Sequence, residues 1–282
     1  MNILSLQSHV AYGHVGNSAA VFALQRLGHE VWPIHTVQLS NHTGYATARG
    51  RAFDAAHIRE LSQGLRERGA LQKCDGVLSG YVGSAEIGAA ILDAAAEVKR
   101  VNPRAVYCCD PVIGDVGRGT YVLPEVAEFM RRRAVPAADI VTPNHFELEQ
   151  LTGRKARSLP EARAAIGALR ALGPKVVLVT SLATDDTPAD AVDLVACDGA
   201  SCHRLRTPKL PVATHGAGDT IAALFLAHYL RSGSAPDALS IAAASIFGIL
   251  RRTADLGATE MALIEAQDEL VNPSASFRTE PL

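Results

Sequence analysis

The sequence predicts an α/β fold in which a mostly parallel central sheet is flanked by helices on both faces. Short apolar segments alternate with segments of helical hydrophobic spacing through most of the 282 residues, and polar residues follow several apolar segments. This alternation favours right-handed βαβ units. The chain is 48% hydrophobic and no linker or repeat divides it. We therefore expect a single domain over residues 1–282, with residues 271–282 as a loosely held tail.

The first half of the chain alternates four predicted strands with three predicted helices. The strands are apolar segments bounded by polar or glycine-containing stretches: 3–6, 31–37, 76–80 and 105–109. The helices have apolar residues at helical spacing: 17–27, 53–68 and 84–99. Gln7-Ser8-His9 reads as a loop after the first strand, and Pro33 restricts the second strand to an edge or irregular position. Gly28 and Ser84 are suited to end and to begin helices, respectively.

The second half continues the alternation and adds a hairpin. Two further apolar strands are predicted at 140–142 and 176–179. Segments 193–197 and 201–206 form a predicted hairpin around Asp198-Gly199, a favourable two-residue turn. Helices are predicted at 159–172, in the apolar segment after Gly218, and at 235–251.

Composition and charge exclude several classes of protein. The formal net charge is -2, from 27 basic and 29 acidic residues, and aromatic residues make up 5%, so we expect no nucleic-acid partner. The first residues show neither a secretion signal nor a membrane span, and a cytoplasmic location is expected. Zinc-type spacing is absent from the five cysteines, which predicts reduced, mostly buried thiols: Cys74, Cys108, Cys109, Cys197 and Cys202.

The stretch from Thr214 to Thr220 is a glycine-rich turn that leads into a long apolar helix. Gly216 and Gly218 allow a tight turn whose N–H groups point one way, and the helix adds its own unpaired N–H groups. This is a site for an anion such as a phosphate. Asp219 would repel a phosphate unless it takes a proton from the attacking group, so we interpret it as a general base for phosphoryl transfer. The alternative is an ordinary helix start with Asp219 as a capping acid.

Polar residues also collect where the predicted strands end. Asp110 directly follows a strand, and the carboxyl ends of parallel strands share one edge, where open α/β sheets bind ligands: Ser8, Ser79, Asp110, Thr142 and Thr180 fall there. The loop from Ser40 to Tyr45 offers varied hydrogen-bonding groups, which suit either an ordinary loop or a small polar ligand. Asn144 and Glu147 are spaced as a capping box, or as oxygen ligands for hydrated magnesium.

With these segments placed, the sequence resembles the pyridoxal kinase family of the ribokinase-like superfamily from Met1 to about Leu270. The resemblance is carried by Gln7-Ser8-His9-Val10, Tyr12-Gly13, Gly16-Asn17, Ser40 to Tyr45, Leu78 to Tyr81, Asp110-Pro111-Val112, Asn144-x-x-Glu147 and Gly216 to Asp219. It implies a ribokinase-like fold and transfer of the ATP γ-phosphoryl group to the 5′-hydroxyl of pyridoxal, in vitamin B6 salvage. Pyridoxine and pyridoxamine stay open as further substrates. Mg²⁺ and a homodimer are also implied, and a monovalent cation stays open.

The resemblance implies a role for each matching residue. Asp219 would deprotonate the 5′-hydroxyl while the amides of Gly216, Ala217 and Gly218 stabilise the transferred group. Substrate-binding residues would be Ser8, Thr43, Gly44, Tyr45, Tyr81 and Asp219. Residues beside ATP would be Asp110, Asn144, Glu147, Thr180, Ser181, Arg204, Leu205, Arg206 and Thr207. Asp110, and Glu147 through water, would organise Mg²⁺.

Two departures, one further resemblance and two alternatives accompany this interpretation. Thr180-Ser181 lacks a lysine seen in some bacterial relatives, and His215 precedes the glycine turn, where it could tune Asp219 or cap the helix. Residues 114–120 resemble a lid that closes over the substrate and excludes water. A hydroxymethylpyrimidine kinase of the same fold is the first alternative, which the Ser40 to Tyr45 loop disfavours. A pyridoxal-binding carrier without catalysis is the second, which the intact Asp219 and glycines disfavour.

Overall fold

The computed structural model describes residues 1–199 and 201–282. The strands are β1 (Asn2–Val10), β2 (Glu30–Leu39), β3 (Gly50–Ala52), β4 (Gly76–Ser79), β5 (Val106–Cys109), β6 (Gly114–Asp115), β7 (Gly119–Thr120), β8 (Ile140–Val141), β9 (Val176–Leu182), β10 (Ala191–Asp198), β11 (Ser201–Pro208) and β12 (Glu280–Pro281). The helices are α1 (Asn17–Arg26), α2 (Ala55–Glu67), α3 (Ala85–Val101), α4 (Pro124–Phe129), α5 (Val135–Ala137), α6 (His145–Thr152), α7 (Leu159–Arg170), α8 (Ala217–Ser232), α9 (Ala235–Asp255) and α10 (Asp268–Val271). A 3₁₀ turn at Leu71–Lys73 and a π-helical turn at Met130–Ala134 complete the regular structure of these residues.

Ten strands form one sheet in the order β12-β11-β10-β9-β8-β5-β4-β1-β2-β3. The strands from β2 through β1, β4, β5 and β8 to β9 pair in parallel, and the antiparallel pairs lie at the two ends of the sheet. The mostly parallel α/β fold predicted from the sequence is therefore confirmed. β6 and β7 form a separate two-stranded hairpin.

Two apolar cores lie on opposite faces of the sheet. One contains buried residues of α2, α3, α6 and α7, and the other contains buried residues of α1, α8 and α9. Alternate residues of β1 point to the two cores: Leu4 belongs to the first and Ile3 to the second. The predicted covering of both faces by helices is confirmed. Within the described ranges, none of the helices is long and apolar enough to cross a membrane.

Several predicted element starts and ends are confirmed in detail. Ser84 caps α3 by accepting a hydrogen bond from the Ile87 N–H, and Gly28 after α1 has a positive φ of 82°. Pro33 pairs with Ser5 of β1, while β3 covers only the last three residues of β2. The missing N–H of Pro33 is tolerated because this part of β2 is the sheet edge.

β1 and β9 are among the strands that extend further than the sequence pattern indicated. β1 continues through Gln7-Ser8-His9 to Val10, because its ladder with β2 runs on to Leu39 past an irregularity between Gln7 and His9. Ser8 therefore lies inside a strand rather than in a loop. β9 continues through Thr180 and Ser181 to Leu182 in the same way. The polar residues at the carboxyl end of each strand led the sequence pattern to end both predicted strands too early.

The predicted hairpin of β10 and β11 is confirmed, with one difference at its turn. Asp198 pairs with Ser201 and so belongs to β10, whereas the sequence pattern placed it in the turn. Ala200 lies outside the described residues. Cys197 lies directly opposite Cys202 with a Cα–Cα distance of 4.1 Å, and the two form a disulfide. The prediction of reduced thiols is wrong for this pair, while the three remaining cysteines are free and buried: Cys74, Cys108 and Cys109.

The last residues of the chain are not a loose tail, so that prediction is wrong. β12 pairs with β11, and the Leu282 N–H donates to the Cys202 carbonyl at 2.9 Å. Phe277 packs against Phe247 of α9, with ring centroids 5.1 Å apart. These few contacts hold the last residues in place. The segment has no periodic pattern of apolar residues, so its sequence contained no indication that it would be ordered.

Candidate active site

The glycine-rich turn forms the N-terminus of α8, at the carboxyl-end edge of the parallel strands. Gly216 has a φ of 88°, and a Cβ at this position would overlap the carbonyl oxygen of His14. Only glycine fits here, so the turn packs directly against the loop that follows β1. Gly218 is exposed and the Thr220 hydroxyl donates back to the Gly216 carbonyl at 2.8 Å. The free N–H groups of this first turn are those expected from the sequence to bind an anion.

Asp219 lies in the first turn of α8 and is held by backbone donors. Burial raises the pKa of Asp219, and hydrogen bonds from the N–H groups of Gly16 and of Asp219 itself oppose the rise. Gly16 also packs against Ser8, whose carbonyl oxygen and hydroxyl lie where a Cβ of residue 16 would be. The structure thus brings together Ser8 and Asp219 through Gly16, although they are far apart in sequence. A carboxylate with a raised pKa beside an anion site is suited to accept a proton.

Asp110 and Glu147 are two further buried carboxyl groups at the same edge. Asp110 is 7% exposed, and burial first and the Asp219 charge second raise its pKa to about 7. The Thr142 hydroxyl donates to Asp110 Oδ1 at 2.9 Å and opposes the rise. Burial, followed by the Asp110 charge, raises the pKa of Glu147 well above its ordinary value. The Coulombic coupling links Glu147, Asp110 and Asp219 into one acidic group of side chains.

Glu147 is held by three backbone N–H groups and by its own cap. It accepts hydrogen bonds from Ile113 at 2.8 Å, Asn144 at 2.9 Å and Gly114 at 3.4 Å. Asn144 accepts from the Glu147 N–H, so the capping-box interpretation is confirmed. The Asn144 amide also donates to the Gly114 carbonyl at 2.8 Å, which fixes the start of the β6–β7 hairpin. The cap therefore positions a buried carboxylate as well as starting α6.

The acidic group fits the implied magnesium ion. Among the described residues, no three His, Cys, Asp or Glu side chains form a ready-made metal cage. Mg²⁺ does not need one, because it keeps several waters and binds through one or two carboxylates plus substrate phosphates. Asp110 and its buried neighbours are costly as uncompensated negative charges, and a divalent cation would remove that cost.

The predicted substrate loop lies against the glycine turn. The His42 ring stacks on the His215 ring with centroids 4.0 Å apart, and His215 directly precedes Gly216. Tyr45 lies beside His42 at 4.6 Å between centroids. Thr43 and Gly44 are exposed between these rings, where they can meet a ligand. The segment from Ser40 to Tyr45 thus lies beside the glycine turn, and its contact with a substrate stays a prediction.

The hairpin of β6 and β7, predicted as a lid, also reaches the glycine turn. Its exposed Arg118 donates from Nη1 to Nε2 of His215 at 2.5 Å. Burial, followed by the charges of His42 and Arg118, lowers the pKa of His215. His215 is therefore a neutral acceptor that ties the β6–β7 hairpin to the glycine turn, a contact that the expected tuning or capping role did not include.

Tyr81 follows β4 at the same edge and is half-buried. Its carbonyl oxygen accepts from the Thr36 hydroxyl at 2.8 Å, which fixes the backbone where the tyrosine leaves the sheet. Ser79, just before it, is buried and hydrogen-bonds the Tyr107 hydroxyl at 2.9 Å. Ser79 is therefore part of the core, and Tyr81 is the residue of this segment that can reach a ligand.

The predicted nucleotide-binding residues fall into two groups. Thr180 bridges to Asn144 and its N–H donates to the Pro143 carbonyl, and Ser181 has a positive φ of 52° in an irregular part of the β9–β10 ladder. Such bulges often lie next to active sites. The second group lies on β11, where Arg206 binds Asp193 through two hydrogen bonds of 2.6 and 2.7 Å and Arg204 pairs with Asp186.

Leu205 and Thr207 complete this second group, and both side chains are buried. Pro208 at the end of β11 lies opposite Ala191, so Thr207 is near the ligand edge, whereas Arg204 lies opposite Val195 in the middle of its strand. The two arginines already have protein partners for their charges. The assignment of residues 204–207 to the nucleotide stays a prediction.

Glu260 lies beside the predicted substrate loop, and sequence reasoning missed it. Glu260 follows α9 and accepts hydrogen bonds from the substrate loop. No pattern marks it, because its partners are more than 200 residues away in sequence. Arg118 lay inside the predicted lid, but its contact with His215 depends on how the hairpin folds.

Together the fold and the site define a class: an α/β kinase that phosphorylates a small molecule. The anion site at a helix N-terminus, a carboxylate in that first turn and a neighbouring acidic group are the parts that phosphoryl transfer requires. Comparisons with known proteins agree. A family model described as phosphomethylpyrimidine kinase matches residues 63–263.

Full-length relatives narrow the class. A pyridoxal kinase PdxY from Granulibacter bethesdensis is 53% identical over 281 residues, covering 98% of each chain. Another from Deinococcus radiodurans is 50% identical over 285 residues, covering 99% of this chain and 96% of the relative. The solved pyridoxal kinase from Leishmania donovani in complex with ADP and pyridoxine is 30% identical, with a TM-score of 0.92 and coverage of 100% and 99%. The chain belongs to the pyridoxal kinase family.

Proposed function

We propose that this enzyme transfers the γ-phosphoryl group of ATP to the 5′-hydroxyl of pyridoxal, giving pyridoxal 5′-phosphate and ADP. The observation that carries the proposal is Asp219, a carboxylate with a raised pKa, held by Gly16 in the first turn of an anion-binding helix. The full-length relatives favour pyridoxal over hydroxymethylpyrimidine as the substrate. The Leishmania donovani complex supports a nucleotide and a vitamin B6 compound as the two ligands.

In the proposed reaction, Asp219 accepts the proton of the 5′-hydroxyl as its oxygen attacks the γ-phosphorus. The bond between the γ-phosphorus and the bridging oxygen breaks, and ADP leaves with that oxygen. The amides of Gly216, Ala217 and Gly218 stabilise the charge on the transferred group. Asp219 must be ionised to act, so activity should rise with pH across the range where its raised pKa lies.

The other predicted residues orient the two substrates. Ser8, next to Gly16, would hydrogen-bond the pyridine ring, with the substrate loop at Thr43 to Tyr45 and Tyr81 beside it. Asp110 and Glu147 would hold Mg²⁺, which supplies charge neutralisation of the phosphates when it is bound. We also propose a single domain, a homodimer and a cytoplasmic location, and we leave a monovalent cation as an untested addition.

Purified protein with Mg·ATP and each of pyridoxal, pyridoxine, pyridoxamine and hydroxymethylpyrimidine tests the proposal directly. Phosphorylated pyridoxal should be the main product. Replacing Asp219 with Asn should lower turnover by roughly 10²- to 10⁴-fold, as loss of a general base does, while pyridoxal binding remains. Asp237→Asn is the matched control, because Asp237 is an exposed acid in the first turn of α9. A wild-type protein that binds pyridoxal without turnover would instead be the carrier.

A further inference from the structure

Glu260 joins two loops that face the proposed pyridoxal site, although it lies far from both in sequence. It follows α9, and its Oε1 accepts hydrogen bonds from His42 Nε2 at 3.0 Å and from the Tyr45 hydroxyl at 2.6 Å. The side chains of His42 and Glu260 are 11% and 14% exposed. This is a largely buried contact in which one carboxylate oxygen binds both ends of the loop segment that contains Thr43 and Gly44.

The other carboxylate oxygen of Glu260 lies against the second loop. A Cβ at Gly13, in the loop between β1 and α1, would overlap Oε2. Across residues 1–199 and 201–282, Oε2 is buried and accepts no hydrogen bond. A buried carboxylate oxygen without a partner costs stability, so folding alone does not explain an acid at this position. An acid that is costly for the fold and in contact with the substrate loop is better explained by a role in the site.

His42 connects Glu260 to the glycine turn through one hydrogen bond and one ring-stacking contact. Its Nδ1 accepts from the Gly44 N–H at 3.1 Å, so its Nε2 carries the proton that it donates to Glu260. Both ring nitrogens are therefore occupied and the ring orientation is fixed. The same ring stacks on His215, the residue before Gly216. Glu260 thus sets the position of His42 between the substrate loop and the anion site.

We propose that Glu260 is a positioning residue for pyridoxal, acting through His42 and Tyr45. The inference rests on the proposed function, since it assigns the loop from Ser40 to Tyr45 to that substrate. Without Glu260, the loop would lose the hydrogen bonds that fix its ends, and Thr43 and Gly44 would no longer be held beside the turn. ATP should bind as before, because the hydrogen bonds of Glu260 in the described part of the chain go to His42 and Tyr45 and to none of the predicted nucleotide-binding residues.

Steady-state kinetics of Glu260→Ala test the inference. The KM for pyridoxal should rise roughly tenfold or more, as expected for loss of charge-assisted hydrogen bonds, while the KM for ATP stays within about twofold. Glu265→Gln is the matched control, because Glu265 is an exposed acid in the same segment. Glu260→Gln keeps the shape and one acceptor, and should have a smaller effect of the same kind. Calorimetric binding of pyridoxal without ATP should weaken in parallel.

The route through Tyr45 has its own test. Tyr45→Phe removes the hydroxyl that donates to Glu260, so combining it with Glu260→Ala, which removes the acceptor, should cost less than the sum of the two single effects. If both KM values rise together with a lower melting temperature, Glu260 is only structural and the inference is overturned. An unchanged KM for pyridoxal also overturns it. Failure of the wild-type protein to phosphorylate pyridoxal would count against the proposed function, whereas the calorimetric comparison would still test Glu260.

Discussion

Replacing Asp110 with Asn should stabilise the ligand-free protein at pH 8 while destroying its proposed magnesium site. Asp110 is buried beside Asp219, and this environment raises its pKa from 3.8 to about 7. Asn has almost the same shape, and its side-chain oxygen can still accept from the Thr142 hydroxyl. The substitution therefore removes the charge and little else. A stabilising change at a site residue would show that the carboxylate is kept for function.

The magnitude follows from the pKa shift. In the unfolded chain Asp110 ionises near pH 3.8, and in the folded protein it ionises only near pH 7. Because the folded protein has the higher pKa, the contribution of Asp110 to stability is complete below its pKa in the unfolded chain. It is lost as the pH rises through its pKa in the folded protein. The difference of about 3 pKa units corresponds to about 4 kcal/mol at pH 8 and to about 2 kcal/mol at pH 5. At roughly 2 °C per kcal/mol, the melting temperature at pH 8 should rise by roughly 8 °C.

Thermal unfolding in EDTA at pH 5 and pH 8 measures this difference. Asp110→Asn should melt above the wild-type protein at both values, with the larger gap at pH 8. With Mg·ATP the gap should narrow, because the wild-type protein should gain more from binding than a variant with a weakened magnesium site. Glu265→Gln removes an exposed carboxylate and should show neither effect. If Asp110→Asn melted at the wild-type temperature at pH 8, the burial of an acidic group at this edge would be refuted.

Two shorter predictions concern residues outside the acidic group. Burial lowers the pKa of His228 from 6.5 to about 4, so the wild-type protein should lose about 3 kcal/mol as the pH falls between these values. His228→Gln should remove that part of the slope in urea unfolding. Gly216→Ala should abolish most turnover, because its Cβ would overlap His14 and displace the anion site. Gly167→Ala, in an open part of α7, is its control and should keep wild-type activity.

The sequence was sufficient for the fold class because the local signals agreed with one another. Apolar strands, capped helices such as α3 and the turn before α8 each favour the same parallel arrangement. Strand ends were less predictable. Ser8 and Thr180 are polar residues inside strands, since the ladder is held by backbone hydrogen bonds that do not depend on side-chain polarity. The order of the last residues depends on a pairing with β11 that has no local pattern.

The residues of the candidate site also differ in how far the sequence could predict them. Asp219, Asp110 and Glu147 could be predicted because each lies in a short motif whose geometry is local: a helix start, a strand end or a capping box. Their mutual approach, and the raised pKa values that result, required the sheet order. Glu260 has no motif at all, since its role depends entirely on contacts with loops that the fold brings to it. Residues that position others are therefore the ones that sequence reasoning misses.

The two kinds of contact at the site have different consequences for the proposed reaction. Asp219 and the glycine turn are held by backbone groups of Gly16 and His14, which resist rearrangement because they belong to the packed edge of the sheet. The substrate loop is held by side chains instead, through Glu260, and is largely exposed. We therefore expect the glycine turn to keep its position when ligands bind, and the loop from Ser40 to Tyr45 to move more readily. In the proposed reaction, that difference would let pyridoxal enter without disturbing the groups that must be aligned for phosphoryl transfer.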